Sequence, residues 1–353
     1  MLFRSIDYTV RKKGENQCIG FVASFIDDRY APGGERLLEP AAALLGELIC
    51  DPVTSHGRFV PEYFESEKTN LLEAIRSLVN DKRDWADSRL LRTMCAGEPY
   101  SIPRLGDEET VDKLQALRLY DQYRDLITTA PLEIIYSGSA ELDRVRQALA
   151  AAFATLPREE VRTIADAVPH VCRESVQTVE DEMEVTQGKL SMGFSCGSDD
   201  MPALLLGNTL FGGSSNSKLF LNVREKLSLC YYASSMYHRQ KGIITVSSGI
   251  EFQNYQRAYD EILSQLAAVQ NGELEEWELA GARSTLLNSY ATVGDSQGKL
   301  ENFYLGQAAT GRSETPADLA QAVMEVSAER ICRAMSTVKL DTVYFLKGKE
   351  AQA

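Results

Sequence analysis

The stretch Leu210–Tyr231, LFGGSSNSKLFLNVREKLSLCY, contains a glycine-rich turn, a helix-forming run and the start of a strand. The turn is a poor match to a phosphate-binding loop, because it lacks the second glycine of G-x-x-x-x-G-K-[ST] and joins two helices where such a loop follows a strand. Glycine relaxes the limits on the backbone, and polar residues keep a loop solvated. We therefore predict a hinge loop at Gly212, Gly213, Ser214 and Ser215.

The same order of elements occurs in both halves of the chain. In the first half, alternating apolar residues and a turn at Lys13–Asn16 predict a β-hairpin over residues 6–26, and helices, a short strand at Leu132–Tyr136 and another helix follow. The second half has strands at Cys230–His238 and Ile243–Ile250, then helices and a final strand. A repeated order of this kind indicates a duplication.

The second half begins with elements that have no counterpart before the hairpin. They are a strand at Lys189–Cys196 and helices at Met201–Leu210 and Lys218–Lys226. The pattern predicts an α+β fold of two tandem homologous halves, each an antiparallel sheet backed by helices, with the first half N-terminally incomplete. The predicted segments are a first half at 1–157, a linker at 158–186 and a second half at 187–353.

Composition excludes several classes of function. The 353 residues carry a formal net charge of −14, which disfavours binding to phosphate backbones or anionic lipid. The first ten residues lack the features of a leader peptide, and no run is apolar enough for a membrane span, so we expect a cytoplasmic protein. The seven cysteines are widely spaced without C-x-x-C, which indicates free thiols.

The quoted stretch resembles the C-terminal signature of the pitrilysin and insulinase family of zinc peptidases. In that family a glycine-rich turn precedes a small residue, Leu-Phe and a Val-Arg-Glu-Lys run before Leu-x-Tyr, and the runs at 97–100 and 103–106 are also similar. The resemblance implies the insulinase and LuxS-like metallohydrolase fold, whose two halves form one side of a clamshell around a peptide chamber. It also implies that Arg224 and Tyr231 contact the substrate backbone, where a guanidinium and a phenol can donate to a carbonyl oxygen.

The zinc site of that family is missing from this sequence. Active members are inverzincins, which bind zinc through H-x-x-E-H on a helix and a later glutamate. The three histidines here, His56, His170 and His238, are too far apart for one helix to present two of them, and we expect His170 and His238 to be surface residues. The later ligand would fall at Glu73 or Ala74, and a lone carboxylate does not hold zinc. We predict no catalytic residue and no bound metal, with Glu73 a vestigial ligand candidate.

The resemblance therefore implies a non-catalytic subunit that binds peptide and pairs with a zinc-bearing paralogue as a heterodimer, or forms a homodimer. It is similar to the silent subunit of mitochondrial processing peptidase, and the run from Asp81 to Tyr100 is similar to silent bacterial partners associated with modification of elongation factor P. The hairpin Ile6–Phe25 is the candidate edge for binding an extended peptide, the mode this family uses. Two alternatives stay open: a fragment of an active metallopeptidase with H-x-x-E-H upstream of Met1, and a stand-alone peptide-binding or assembly module.

Overall fold

The strands form one large sheet and two small ones in the computed structural model, which describes residues 4–349. The strands are β1 (Arg4–Lys13), β2 (Asn16–Phe25), β3 (Thr54–Ser55), β4 (Arg58–Phe59), β5 (Gln177–Met183), β6 (Gly188–Cys196), β7 (Cys230–His238), β8 (Ile243–Ile250) and β9 (Val338–Gly348). The large sheet has the order β5-β9-β6-β8-β7, and the small sheets are β1–β2 and β3–β4. The predicted strands in the second half are confirmed.

Most of the predicted helices are also present. The α-helices are α1 (Leu38–Cys50), α2 (Pro61–Ser77), α3 (Lys82–Met94), α4 (Glu108–Asp112), α5 (Ala116–Thr129), α6 (Leu142–Ala152), α7 (Met201–Phe211), α8 (Tyr255–Gln270), α9 (Glu276–Ala291), α10 (Gln297–Ala308), α11 (Pro316–Met324) and α12 (Ala328–Met335). The helix predicted at Lys218–Lys226 is a π-helix over Leu219–Lys226. Among the described residues, no helix combines the length and the apolar character that crossing a membrane requires.

Strand β5 was missed, because it lies within the segment predicted as a linker. It pairs in parallel with β9, whereas the other pairs of the large sheet are antiparallel. Its acidic residues suggested a solvated linker, but each has a cation beside it in the fold. Lys347 Nζ lies 2.9 Å from a Glu180 oxygen and 3.3 Å from a Glu182 oxygen, and Arg89 Nε lies 2.9 Å from an Asp181 oxygen. The ladder with β9 holds this acidic run as a strand at the edge of the sheet, and the ion pairs offset its negative charge.

The strand predicted at Leu132–Tyr136 is wrong. This run forms no ladder with any described strand, and Leu132 and Ile134 are exposed. A short apolar run predicts a strand only where a neighbouring strand can take its backbone hydrogen bonds. In the described residues of the first half, the ladders are instead those of the hairpin β1–β2 and the short pair β3–β4.

The large sheet is covered on both faces. Strands β6 and β8 are buried along nearly their whole length, which indicates cover on both sides because successive side chains point to opposite faces. Helices α7, α8 and α12 contribute to the main core, and α3 packs on β6 and β9 through Ala86 and Leu90. At Gly193 of β6 a Cβ atom would lie 2.5 Å from Met94 Sδ, so glycine makes room for α3.

The described chain divides by internal contacts into two units. The first unit comprises the described residues up to Arg76, Arg104–Ala165 and Tyr304–Gly311, and the second comprises Ser77–Pro103, Asp166–Phe303 and the described residues from Arg312 onward. Helix α3 therefore belongs with the large sheet, although it lies far upstream of that sheet in sequence. This division by compactness is distinct from the predicted halves, which follow the repeated order of elements.

The hairpin β1–β2 of the first unit is confirmed, and it has an apolar face. Tyr8 lies opposite Phe21 and Val10 lies opposite Ile19 in its register. Tyr8 is 72% exposed, Ile19 61% and Phe21 40%, so this face is largely open to solvent. Gly14 has a φ of +60° in the turn, a conformation that favours glycine.

Candidate functional site

The glycine-rich loop lies against the edge strand β7. The Ser235 amide donates to the Gly212 carbonyl at 2.9 Å, so the loop takes a hydrogen bond from the outer side of that strand. A Cβ atom at Gly212 would lie 2.7 Å from both the Ser235 nitrogen and Leu219 Cδ1. Neither Gly212 nor Gly213 has a positive φ, so these glycines are needed for close approach and not for an unusual backbone conformation. Hinge motion of this loop, including Ser214 and Ser215, stays a prediction.

A buried ion pair anchors the C-terminal end of the loop. Lys218 Nζ lies 3.0 Å from both carboxylate oxygens of Glu278, and both residues are buried. Glu278 also accepts a hydrogen bond from the Glu275 amide at the start of α9. The loop is thereby held at one end to a second helix.

The two predicted peptide-binding residues lie on adjacent elements of the second unit. Arg224, on the π-helix, lies 3.4 Å from a Glu225 oxygen, and its guanidinium carbon lies 4.7 Å from the centre of the Phe220 ring. Tyr231 stands at a register shift between Cys230 and Tyr232, where β7 has one residue more than β8. Such a bulge re-aims a side chain, and Tyr231 is 53% exposed.

The Tyr231 phenol has an acidic partner. Its hydroxyl donates to the Glu251 carboxylate, and this hydrogen bond raises the pKa of Tyr231. The phenol therefore stays protonated, with its one hydroxyl proton directed to Glu251. Its role in peptide binding, like that of Arg224, stays a prediction.

The vestigial ligand candidate Glu73 lies on α2 with its side chain exposed, and the neighbouring Ala74 is half-buried. Among the described residues, three potential metal donors converge elsewhere, at Cys95, Glu98 and His170, whose ligand atoms all lie within 4.8 Å of one another. This group belongs to the second unit and follows α3.

His170 lies between two carboxylates. Its Nδ1 is 2.8 Å from a Glu98 oxygen, and its Nε2 is 3.3 Å from an Asp341 oxygen. Lys241 and Arg173 complete this cluster: the Lys241 ammonium contacts Glu98, and Arg173 Nη1 lies 3.2 Å from the other Asp341 oxygen. Lys241 and Asp341 are fully buried. We call these five residues, Glu98, His170, Arg173, Lys241 and Asp341, the ionic cluster.

The ionic cluster is neutralised by its own side chains. Burial alone would raise the pKa of Glu98, but hydrogen bonds from Lys241 and His170 outweigh burial and lower it. Burial likewise opposes ionisation of Asp341, but hydrogen bonds from Thr342 and from the Arg173 amide lower the pKa of this carboxyl. The carboxylates of Glu98 and Asp341 balance the positive charges of Lys241 and Arg173 without a metal. A divalent ion would add positive charge beside these two cations. The Cys95, Glu98 and His170 group is therefore a poor fit to zinc.

The expectation that His170 is a surface residue is wrong, and His238 is half-buried. His170 is buried in the ionic cluster. Each ring nitrogen of His238 lies 3.0 Å from a hydrogen-bonding partner, which is Tyr100 Oη for Nδ1 and Thr245 Oγ1 for Nε2. Burial lowers the pKa of His238 to about 4. Three of their four hydrogen-bonding partners, Glu98, Asp341 and Tyr100, are more than 70 residues away in sequence, so no local pattern indicated these contacts. His56 does lie exposed, in the turn between β3 and β4.

Comparisons with known proteins agree with this architecture. A family model described as the Peptidase M16 inactive domain matches residues 113–286. "Probable inactive metalloprotease YmfF" of Bacillus subtilis (strain 168) is 34% identical over 352 residues, which are 98% of this chain and 82% of that protein. "Uncharacterized zinc protease YmxG" of the same organism is 21% identical and matches 88% of this chain and 76% of its own length.

Solved structures show the same fold. A conserved protein from Enterococcus faecalis V583 superposes with a TM-score of 0.83 at 26% identity, covering 99% of this chain and 83% of that chain. A peptidase M16 inactive domain from Pseudomonas fluorescens superposes with a TM-score of 0.76 at 16% identity, covering 99% and 82%. The chain belongs to the M16 peptidase family, and both the predicted α+β fold and the predicted resemblance are confirmed.

The residues of this chain do not fit the catalytic zinc that the family implies. Two imidazoles on one helix are required, and the sequence offers none at that spacing. Of its histidines, His170 and His238 are already engaged by Glu98, Asp341, Tyr100 and Thr245, and His56 lies in an exposed turn. The match to the inactive domain of the family agrees with this inventory of donors.

Proposed function

We propose that this chain is a non-catalytic M16 homologue that binds extended peptide and pairs with an active, zinc-bearing paralogue. One observation supports this most strongly: Tyr231 is turned outward by a bulge on an edge strand, in a chain whose histidines cannot form the zinc site of the family. A chain of this kind could hold a peptide but could not activate a water molecule to cleave it.

The edge of the large sheet supports peptide binding. Strand β7 is the last strand of that sheet, so its outer side can accept an extended segment through backbone hydrogen bonds. The Ser235 amide on that side already donates to the Gly212 carbonyl of the glycine-rich loop. A peptide would therefore bind along the part of β7 nearer Cys230. Arg224 would then donate to a carbonyl oxygen of the bound peptide. Tyr231 would do so by transferring its hydrogen bond from Glu251 to the peptide.

The hairpin of the first unit supports pairing with a partner. Tyr8, Ile19 and Phe21 form an exposed apolar face, and within the described residues β1 and β2 pair only with each other. Exposed aromatic residues and unpaired strand edges are typical of protein interfaces. We propose that the zinc-bearing paralogue covers this face.

The pairing is tested by mixing the purified chain with a purified zinc-bearing M16 paralogue encoded in the same genome. We expect a heterodimer in sedimentation velocity, lost when Tyr8→Lys and Phe21→Lys are introduced together. Tyr30→Lys is the matched control, because Tyr30 is also 72% exposed but lies outside the hairpin. A chain that self-associates through this face, or that stays monomeric in every mixture, would contradict the proposed pairing.

Catalytic silence is tested on the chain alone. We expect neither tightly held zinc in metal analysis nor hydrolysis of a fluorogenic peptide. Chelator-sensitive cleavage by the isolated chain would overturn the proposed function.

Peptide binding is tested with fluorescein-labelled randomised nonapeptides and fluorescence anisotropy. We expect Tyr231→Phe and Arg224→Gln each to weaken binding about tenfold, because each removes one donor to the peptide backbone. Tyr63→Phe is the matched control, an exposed tyrosine on α2. Binding that is unchanged by both variants would show that these two residues do not contact the peptide.

A further inference from the structure

An open pocket of the second unit lies between the start of α3 and the turn that joins β5 to β6. Its lining residues are Lys82, Glu184, Val185, Thr186, Gln187 and Lys189. Arg83 lies beside it, because the guanidinium carbon of Arg83 is 4.4 Å from the centre of the Tyr232 ring and Lys189 Nζ is 5.6 Å from the same ring. Three cationic side chains thus converge in a chain whose net charge is −14.

The polar contacts of these three cations are made to neutral oxygens. Lys82 Nζ donates to the Val79 carbonyl at 2.6 Å, Arg83 Nη2 to Ser234 Oγ at 3.1 Å, and Lys189 Nζ to Gln187 Oε1 at 3.4 Å. None of the three has a carboxylate oxygen within 4.0 Å among residues 4–349, whereas Lys347 on β9 has two. Their positive charge is therefore available to a ligand.

The nearest acidic side chains are engaged elsewhere. Asp81 accepts hydrogen bonds from the amides of Arg83 and Asp84, and it thereby caps α3. Asp87 accepts from Ser191 and Ser247, and burial raises the pKa of its carboxyl. Glu184 lies exposed among the lining residues. Burial lowers the pKa of Lys189 and outweighs the opposing effect of the negative charge of Asp81.

The pocket adjoins the proposed peptide-binding residue Tyr231. Gln187 is one of its lining residues, and the Gln187 side chain hydrogen-bonds both Tyr231 and Lys189. A peptide held beside Tyr231 at the edge of the sheet could therefore place an anionic group among Lys82, Arg83 and Lys189. The guanidinium fork of Arg83 matches the geometry of a carboxylate.

We infer that this pocket binds a carboxylate group of the peptide, with Lys189 and Arg83 as its principal donors. The inference rests on the proposed peptide-binding function and names the chemical group that the site selects. Two sources supply the same group, the free C-terminus of a peptide and an acidic side chain within it.

Three pools of fluorescein-labelled nonapeptides distinguish these sources in anisotropy titrations with the full chain. The first pool lacks Asp and Glu and has a free C-terminal carboxylate, the second is the same pool with a C-terminal amide, and the third is the amide pool with one central glutamate. We expect the first or the third pool to bind about tenfold more tightly than the second, which corresponds to one charge-assisted hydrogen bond. The pool that gains affinity identifies the source of the carboxylate.

Variants assign the preference to the pocket. Lys189→Met and Arg83→Gln should each abolish the preference for a carboxylate, and Lys189→Arg should retain it. Lys339→Met is the matched control, an exposed lysine on β9 that pairs with Ser195 at the far end of β6. Unchanged circular dichroism and thermal midpoints would show that the variants fold.

Equal binding of all three pools, or a preference that survives in Lys189→Met and Arg83→Gln, would overturn the inference and leave peptide binding intact. Failure of every pool to bind would instead remove the proposed peptide-binding function, and this inference with it.

Discussion

The large sheet and the N-terminal hairpin are built from strands of similar length, but they differ in what covers them. Strands β6 and β8 are buried on both faces, and Phe194 of β6 is fully buried against Phe211 at a ring-centre distance of 6.2 Å. The hairpin has Phe21 at 40% and Tyr8 at 72% exposure. The same kinds of apolar residue therefore stabilise the fold in one region and remain available for contacts in the other.

This difference indicates where stability and interaction each reside. In the region that contains the ionic cluster and the main core, the large apolar side chains are buried and the charges of the cluster are paired within the chain. The hairpin leaves apolar side chains in contact with water. Burying them against a partner would stabilise the complex by about 25 cal/mol per Å² of apolar surface removed from water. We expect mutations in the two regions to affect stability and association, respectively.

The largest effect on stability should come from truncating the buried Phe194, with the partly exposed Phe21 of the hairpin as the comparison. Phe194→Ala should lower the free energy of unfolding by about 3–5 kcal/mol, because it removes a fully buried ring and leaves a cavity. Phe21→Ala should cost less than about 1 kcal/mol, the worth of a cross-strand pair with Tyr8. Urea denaturation of both variants measures the difference. Similar losses at both positions would mean that the hairpin is not the open region described above.

Removal of Asp341 tests the ionic cluster. Asp341→Ala should lower the free energy of unfolding by about 3 kcal/mol, since it leaves His170 and Arg173 without their buried acidic partner. The control is Glu109→Ala, which breaks a pair with Lys113 whose side chains are 80% and 71% exposed and should matter little. Equal stability losses in the two variants would show that the cluster contributes no more than a surface pair.

Acid sensitivity tests the lowered pKa of the half-buried His238. The unfolded chain binds a proton near pH 6.5, whereas the folded chain does not protonate His238 until about pH 4, so the free energy of unfolding falls as the pH is lowered through this window. At pH 5 the loss from this residue should be about 2 kcal/mol relative to pH 7. His238→Gln should reduce the difference in stability between pH 7 and pH 5 by that amount, and His56→Gln, in an exposed turn, should leave it unchanged. A pH dependence that His238→Gln does not alter would contradict the assignment.

The smallest effect should come from the glycine-rich loop. Gly212→Ala places a Cβ atom 2.7 Å from the Ser235 nitrogen, so backbone must shift, at a cost of at least about 1 kcal/mol. Gly294→Ala is the control, because nothing lies within 4 Å of its Cβ position. If Gly212→Ala proves as stable as Gly294→Ala, the loop moves away from β7 easily, which would favour the predicted hinge.

The patterns that allowed prediction were local ones. Alternation predicted the hairpin, and the strands β7 and β8 and the helix α7 were predicted within a residue of their observed bounds. The strand predicted at Leu132–Tyr136 failed, and β5 was missed, because strand formation depends on a partner that the run itself does not reveal. The acidic run with Glu180 and Glu182 lies in a strand because β9 takes its backbone hydrogen bonds, and Lys347 lies beside both carboxylates.

The sequence by itself determined the family, the absence of the paired histidines and the glycine-rich turn, since each is a matter of which residues occur at which spacing. Only the tertiary structure decided the burial of His170, the hydrogen bonds of His238 and the convergence of Lys82, Arg83 and Lys189 on one pocket. The physical reason is distance along the chain: Glu98, His170, Lys241 and Asp341 are brought together by the packing of α3 and its following loop on the sheet, and no periodicity records a contact between segments so far apart.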